Sequence, residues 1–212
     1  MKKKLNKKTL VLAAVLLIGV LTGVAYALSG GESSAPVEAG QLLSGKHYIE
    51  MEIADYGAIV AELDADAAPI TVTNFMKLVQ SGFYDGLTFH RIINGFMIQG
   101  GDPLGNGTGG SDTKIKGEFK ANGVENSIAH ERGVLSMARS MAYDSASSQF
   151  FIMHQKAPHL DGQYAAFGKV LSGMDVVDAI CESVPVTDNN GSVNKVHQPV
   201  ITFIKQIEKP NL

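Results

Sequence analysis

The chain has 212 residues, 45% of them hydrophobic and 18% charged, the composition of an ordinary globular protein with one compact domain and a short appendage. Five of its 18 basic residues, Lys2, Lys3, Lys4, Lys7 and Lys8, precede the first apolar run, so the remaining 13 face all 21 acidic residues in the body of the chain. A body with that acidic excess lacks the clustered cations on which phosphate-backbone binding rests, and nucleic-acid binding is excluded.

The first segment reads as a targeting sequence. A lysine-rich start is followed by the uncharged run "LVLAAVLLIGVLTGV" and by Ala25-Tyr26-Ala27, which fits a small-x-small cleavage site. Residues 10–28 carry no charge and approach the roughly 20 residues that span a bilayer. Residues 1–28 are therefore expected to be a signal peptide or an N-terminal membrane anchor, and the protein to be extracytoplasmic, either secreted or attached to the outer side of the cytoplasmic membrane. Cys181 is the only cysteine, so no internal disulfide can form and no leader cysteine is available for lipidation. Residues 29–45, "SGGESSAPVEAGQLLSG", have no hydrophobic period and read as a flexible linker.

The folded domain is expected over residues 46–209. Alternating runs at Tyr48 to Ile53 and Ala58 to Leu63 flank Asp55-Tyr56-Gly57, the pattern of a β-hairpin. Next, Pro69 opens a segment in which Val72, Phe75, Met76 and Val79 recur at helical spacing until Gly82, predicting one amphipathic helix with that stripe in the core. Short apolar runs follow at Thr88 to Ile93, Phe96 to Gln99, Gly133 to Ala138, Phe150 to Met153, Tyr164 to Val170 and Val200 to Ile207, with a second helix over Met174 to Cys181. Many short strands and few helices predict a mainly β protein, a closed barrel or a sandwich. Between them, residues 101–131 are glycine-rich and aperiodic, which marks a functional surface loop.

Several familiar chemistries find little support. Gly105, Gly107 and Gly110 match G-x-G-x-x-G, yet no helical stripe follows as a dinucleotide-binding turn requires. The six histidines show no metal-ligand spacing, and Ser136, Ser147 and Ser148 lie in no nucleophile elbow, with no His or Asp fixed near them by spacing. Cys181 falls on the apolar side of its helix as a small core residue. Arg91 stands apart, because it interrupts "TFHRIINGFMIQGGD", an otherwise apolar pair of strands. If strand alternation holds, Phe89, Arg91 and Ile93 share one face and His90 and Ile92 the other. Gln99 and, in "SSQFFIMH", Gln149 with Phe151 would complete an apolar floor holding one cation and two amides.

In this order, "NFMKLV", "FHRIINGFMIQGGD", "GTGG", "GVLSMAR", "SSQFFI" and "LDGQYAAFGKV" make the chain, from about Lys46 to Glu208, similar to the cyclophilins, a family of peptidyl-prolyl cis-trans isomerases. The resemblance implies a closed eight-stranded antiparallel β-barrel capped by two α-helices, with a proline pocket on its outer face. It implies that Arg91 is the catalytic guanidinium, held with the substrate backbone by Gln99 and Gln149. Phe96, Met97, Phe151 and Leu160 become the walls around the proline ring, His90 lines the groove, and Ala138 with Arg139 offers main-chain hydrogen bonds to an extended peptide. Gly107 and Ser140 fall near the neighbouring pocket. His159 and Tyr164 complete the rim, where many relatives have Trp and His, and Arg139 replaces a frequent Asn. The implied partners are proline-containing polypeptides, including exported proteins in the course of folding; a monomer is expected, and no metal or cofactor is needed. Two rival readings are a docking module or holdase using the same groove without catalysis, and a nucleotide-binding protein using the loop from Gly105 to Gly110.

Overall fold

A computed structural model of the chain describes residues 40–211; the expected leader, residues 1–28, and the first part of the expected linker lie outside them. The hairpin forms as β1 (Lys46–Ile53) and β2 (Gly57–Asp64), with Lys46 opposite Asp64 and Ile53 opposite Gly57. Its turn places Asp55 at φ 68°, a left-handed position that a short polar side chain tolerates. Residues 43–45, assigned to the linker by composition, are tied to this end of the fold. The Leu43 amide donates to Thr73 Oγ1 at 2.8 Å and the Gly45 amide to Asp66 Oδ1 at 2.7 Å.

Helix α1 (Pro69–Gln80) buries Val72, Phe75, Met76 and Val79, the stripe read from its spacing. Pro69 sits where a missing N–H costs nothing, but Ala68 at the N-cap has no side-chain acceptor. The cap comes from far away in sequence. Glu118, buried in the long loop, accepts the Ile70 amide at 3.0 Å and the Thr71 amide at 2.7 Å, satisfying two first-turn donors and placing negative charge at the positive end of the helix dipole.

The remaining elements are β3 (Phe89–Ile93), β4 (Met97–Gly100), β5 (Val134–Met137), β6 (Phe150–Met153), β7 (Ala166–Ser172), α2 (Met174–Ser183) and β8 (Ile201–Ile207). All the strands join one antiparallel sheet in the order β3-β4-β6-β5-β7-β2-β1-β8. Alternation divides its faces. Ile98, Leu135, Phe150, Ile152 and Phe167 point inward to the main core, where Phe75 of α1 meets Tyr84, Phe150 and Phe167 at ring-centroid distances of 5.0, 5.4 and 5.1 Å. Met97, Val134, Phe151 and Met153 point outward and form a second, smaller cluster with Ala157, Leu160 and Ala166.

The sheet curls into a half-barrel and stays open, which corrects the expectation of a closed barrel. β3 and β8 share no ladder; they meet only near one end, where Thr88 bridges Val200 and the Phe89 and Ile201 amides reach Pro199 O and Leu87 O. Two causes are local. Pro199 has no N–H to donate, and the edge of β3 is already paired with the preceding irregular segment, through Ile92 N–H to Gly191 O at 2.7 Å and Val193 N–H to His90 O at 3.0 Å. Among the described residues no helix is long and apolar enough to cross a membrane.

Glu118→Ala should leave two first-turn amides without their acceptor, that of Thr71 buried and that of Ile70 half-buried, and lower stability by about 1–3 kcal/mol. Denaturant unfolding would measure this, and an unchanged midpoint would show that the distant cap contributes nothing.

Candidate active site

The site begins with an irregularity in β3. Phe89 pairs with Gly100 and Arg91 with Gln99, so His90 is an extra residue, a β-bulge. The bulge overturns simple alternation: Phe89 and Ile92 enter the main core, whereas Arg91 and Ile93 face the outer cluster. Gly100 makes this possible, since a Cβ there would lie 2.8 Å from Thr88 O and 2.9 Å from the Phe89 ring. His90 is buried with its ring toward Gly107, which is required there by its left-handed backbone at φ 87° and not by space, since a Cβ would meet the ring at an ordinary 3.6 Å.

On the outer face, the pairing Arg91 with Gln99 and Gln99 with Phe151 sets three side chains in a row across β3, β4 and β6. A cavity of about 230 Å³ opens over them. Phe96, Met97, Phe151 and Leu160 supply apolar walls, and Arg91, Gln99, Ala138, Arg139 and Tyr164 complete the lining. His159 is exposed and stands outside this lining, stacked on Phe96 at 5.7 Å. Gln149 and His90 are likewise not among the residues that line the cavity.

A directed hydrogen-bond chain fixes the cation. Arg91 Nε donates to Asn190 O at 2.8 Å and Nη1 to Gln99 Oε1 at 3.2 Å; Gln99 Nε2 donates to Gln149 Oε1 at 2.9 Å, and Gln149 Nε2 to Gly109 O at 2.7 Å. Burial pulls the Arg91 pKa below the usual guanidinium value, opposed by Tyr164 and Asp188, and the group remains a cation at any physiological pH. Burial also lowers the His90 pKa, which keeps that imidazole neutral beside Arg91.

The glycine-rich loop is organised by an anion of its own. Asp102, buried, accepts the amides of Leu104 at 2.8 Å, Asn106 at 3.0 Å and Gly107 at 2.6 Å, so the amides that a nucleotide phosphate would use are already occupied. Burial pushes its pKa up, but the backbone N–H donors outweigh that and hold it below the ordinary carboxylate value. The loop thereby delivers Gly109 O to Gln149.

Sequence reasoning missed a second alignment. Asp161, Ser136 and His130 are joined in a line, with His130 Nδ1 2.9 Å from Asp161 Oδ1 and Nε2 3.0 Å from Ser136 Oγ. The carboxylate accepts a hydrogen bond from Nδ1–H, leaving Nε2 to accept from the Ser136 hydroxyl. A His and an Asp are thus fixed near Ser136 after all. Ser136 is wholly buried within β5, however, and no substrate carbonyl can reach its hydroxyl. The line has a mechanical role instead: the His130 ring stacks against Phe151 at 6.1 Å and 19°, and Asp161 follows Leu160, so two walls of the pocket share one support. No local spacing announces this contact; only the proximity of Asp161 to Leu160 hints at it.

Fold and pocket together define a cyclophilin-like half-barrel protein. Residues 48–205 match the family model described as cyclophilin type peptidyl-prolyl cis-trans isomerase/CLD. The chain is 52% identical over 121 residues to peptidyl-prolyl cis-trans isomerase B of Bacillus subtilis, covering 57% of this chain and 81% of that one. It is 43% identical over 151 residues to peptidyl-prolyl cis-trans isomerase-like 3 of Gallus gallus, covering 70% and 91%. The crystal structure of a cyclophilin type isomerase from Cryptosporidium parvum superposes with a TM-score of 0.69 at 30% identity, covering 78% of this chain and all of that one. The same isomerase, solved in the presence of the dipeptide Ala-Pro, gives 0.67 at 30% identity, covering 76% and 99%. The chain belongs to the cyclophilin-type peptidyl-prolyl cis-trans isomerases, and it is an isomerase of that class.

Because the Asp102 pKa is depressed in the fold, its contribution to stability is fully present above the unfolded value and is lost as pH falls through the folded one. Stability should therefore drop below about pH 4, and Asp102→Asn should be less stable at pH 7 with a flatter acid limb. Equal pH profiles for the two proteins, measured by thermal unfolding, would refute this role.

Proposed function

We propose that catalysis takes place in the outer pocket, with Arg91 as the catalytic residue and the substrate proline ring between Phe96, Met97, Phe151 and Leu160. The observation that carries this reading is the Arg91 hydrogen-bond chain: Nε and Nη1 are anchored on neutral oxygens, Nη2 has no acceptor among the described residues, and Arg91 lines the cavity. The Ala-Pro dipeptide present with a structural relative supports a proline-containing substrate.

The chemistry follows from the bond. X-Pro rotation must break amide resonance against a barrier of about 18–20 kcal/mol. In the twisted transition state the proline nitrogen becomes pyramidal and recovers its lone pair, so it accepts a hydrogen bond that the planar ground state cannot. A guanidinium N–H aimed at that nitrogen binds the transition state better than the substrate, which is what lowers the barrier. The apolar walls hold the ring while the acyl side turns, and they exclude water that would weaken the bond. Gln99 and Gln149 act as positioning residues through Arg91, while Ala138 and Arg139 present main-chain groups to an extended peptide. His159 and Tyr164 complete the rim. No proton is transferred. A docking module would need the apolar walls but not a cation anchored at two of its five N–H groups with the other donors free, and that favours the enzyme.

We further propose that the isomerase works outside the cytoplasm on exported proteins, secreted or tethered by residues 10–28. The support is the sequence alone: the basic start, the uncharged run and Ala25-Tyr26-Ala27. X-Pro isomerisation limits the folding of many chains, and exported proteins must fold without cytoplasmic helpers.

Arg91→Ala should lower kcat/KM on a short X-Pro peptide by two to three orders of magnitude while circular dichroism remains that of the parent; near-normal turnover would remove Arg91 from the mechanism. Fractionation of cells expressing the full chain should find it outside the cytoplasm or at the membrane, and a cytoplasmic protein with its leader intact would end the export reading.

A further inference from the structure

The pocket holds a second cation that isomerisation itself does not need. Arg139 lines the same cavity as Arg91, and its guanidinium is caged by three rings, Tyr164 at 4.7 Å, Phe119 at 5.0 Å and Tyr143 at 5.0 Å. Its hydrogen bonds go to main-chain oxygens: Nε and Nη2 to Gln163 O at 3.1 and 2.9 Å, and Nη1 to Ser140 O at 2.9 Å and Met141 O at 3.4 Å. Of the five guanidinium N–H groups, one on Nη2 is left.

No carboxylate neutralises either cation. None of the ion pairs among the described residues involves Arg91 or Arg139. Asp144, close in sequence to Arg139, is turned away to the Gly117 amide and Asn122 Nδ2. Asp188 acts on Arg91 only at a distance, with its Oδ1 accepting the Asn190 and Ser192 amides. A body rich in acidic residues thus presents two uncompensated guanidiniums at one small cavity, and a cavity wall of low dielectric concentrates their field.

We propose that Arg139 is a specificity-determining residue, and that the pocket selects X-Pro segments with an acidic side chain flanking the proline. The inference rests on the isomerase reading of the same pocket. Arg91 is reserved for the proline nitrogen; Arg139, rigid in its cage and with one donor left, is the cation that meets a substrate carboxylate. Rigidity matters because a flexible Lys would spend side-chain entropy on each such contact, whereas the caged fork has already lost it. The same cage anchors the loop over residues 140–145, so loss of Arg139 also loosens that loop and slows every substrate; specificity lies in the ratio between substrates.

The experiment measures kcat/KM for matched peptides with Glu or Gln before proline, and for a second pair with Glu or Gln after it, at low and high salt. Wild type should favour Glu in one of the pairs by about threefold at low salt, as expected for a partly exposed ion pair, and the preference should shrink toward parity at about 1 M salt. In Arg139→Gln the Glu-to-Gln ratio should fall to one, whatever loss is common to both peptides, and Arg139→Lys should restore part of it. Equal rates for Glu and Gln in both wild-type pairs, or a preference that survives Arg139→Gln, would overturn the proposal while leaving the isomerase intact. Failure of wild type to accelerate any peptide would instead bring down the isomerase reading and this inference with it.

Discussion

The structure depends on one constraint: a permanent cation has to be held in a half-buried, apolar place without being neutralised. A carboxylate partner would fix Arg91 firmly and at the same time satisfy the N–H that the proposed mechanism reserves for the proline nitrogen. Neutral oxygens solve the problem, because each lowers the cost of burying the charge while leaving its field in the pocket. The chain from Asn190 O and Gln99 through Gln149 to Gly109 O has a fixed sense, with each amide accepting on one side and donating on the other. Reversal of Gln99 would present its NH2 to the guanidinium, and reversal of Gln149 would set its NH2 against that of Gln99 and its oxygen against Gly109 O.

Much of the surrounding fold serves that chain. The bulge at His90 turns Arg91 outward while Phe89 stays in the core, and Gly100 leaves room for both. Asp102 gathers the glycine-rich loop around its carboxylate, which brings Gly109 O within reach of Gln149. The open edge of the sheet contributes as well, because the segment paired with β3 carries Asn190 O to Arg91 Nε. A fully laddered barrel would put β8 there, with no loop carbonyl available. Beneath the pocket, the line from Asp161 through His130 to Ser136 braces Phe151 from behind. The proposed substrate pocket and the main core thus occupy the two faces of one sheet.

The sequence makes the elements legible because their signals are local. Alternation around Asp55-Tyr56-Gly57 and the stripe from Val72 to Val79 give the hairpin and α1 with small boundary differences. The lining of the pocket is legible in full only through resemblance to a family, although alternation already groups Arg91, Gln99 and Phe151, since residues from β3, β4, β6 and three connecting segments meet there. What sequence reasoning misses is long-range or irregular. A bulge has no local signature, so period-two alternation assigns Phe89 to the wrong face. Barrel closure depends on which segment reaches the edge of β3 first. The capping of α1 by Glu118 and the support of Phe151 by His130 join residues far apart in the chain, and neither side of those contacts looks unusual on its own.

The central claim is that Arg91 binds the twisted amide better than the planar one, which requires rate and affinity to separate. The most direct measurement is NMR exchange spectroscopy of an X-Pro peptide with wild type and with Arg91→Lys, giving the cis-trans exchange rate on the enzyme and the Kd from the same titration. The account predicts that the lysine variant keeps a Kd within a few-fold of wild type and loses most of the exchange rate, because charge without the anchored planar fork does not aim a donor at the nitrogen. An exchange rate preserved in Arg91→Lys, or one lost only in proportion to binding, would contradict it.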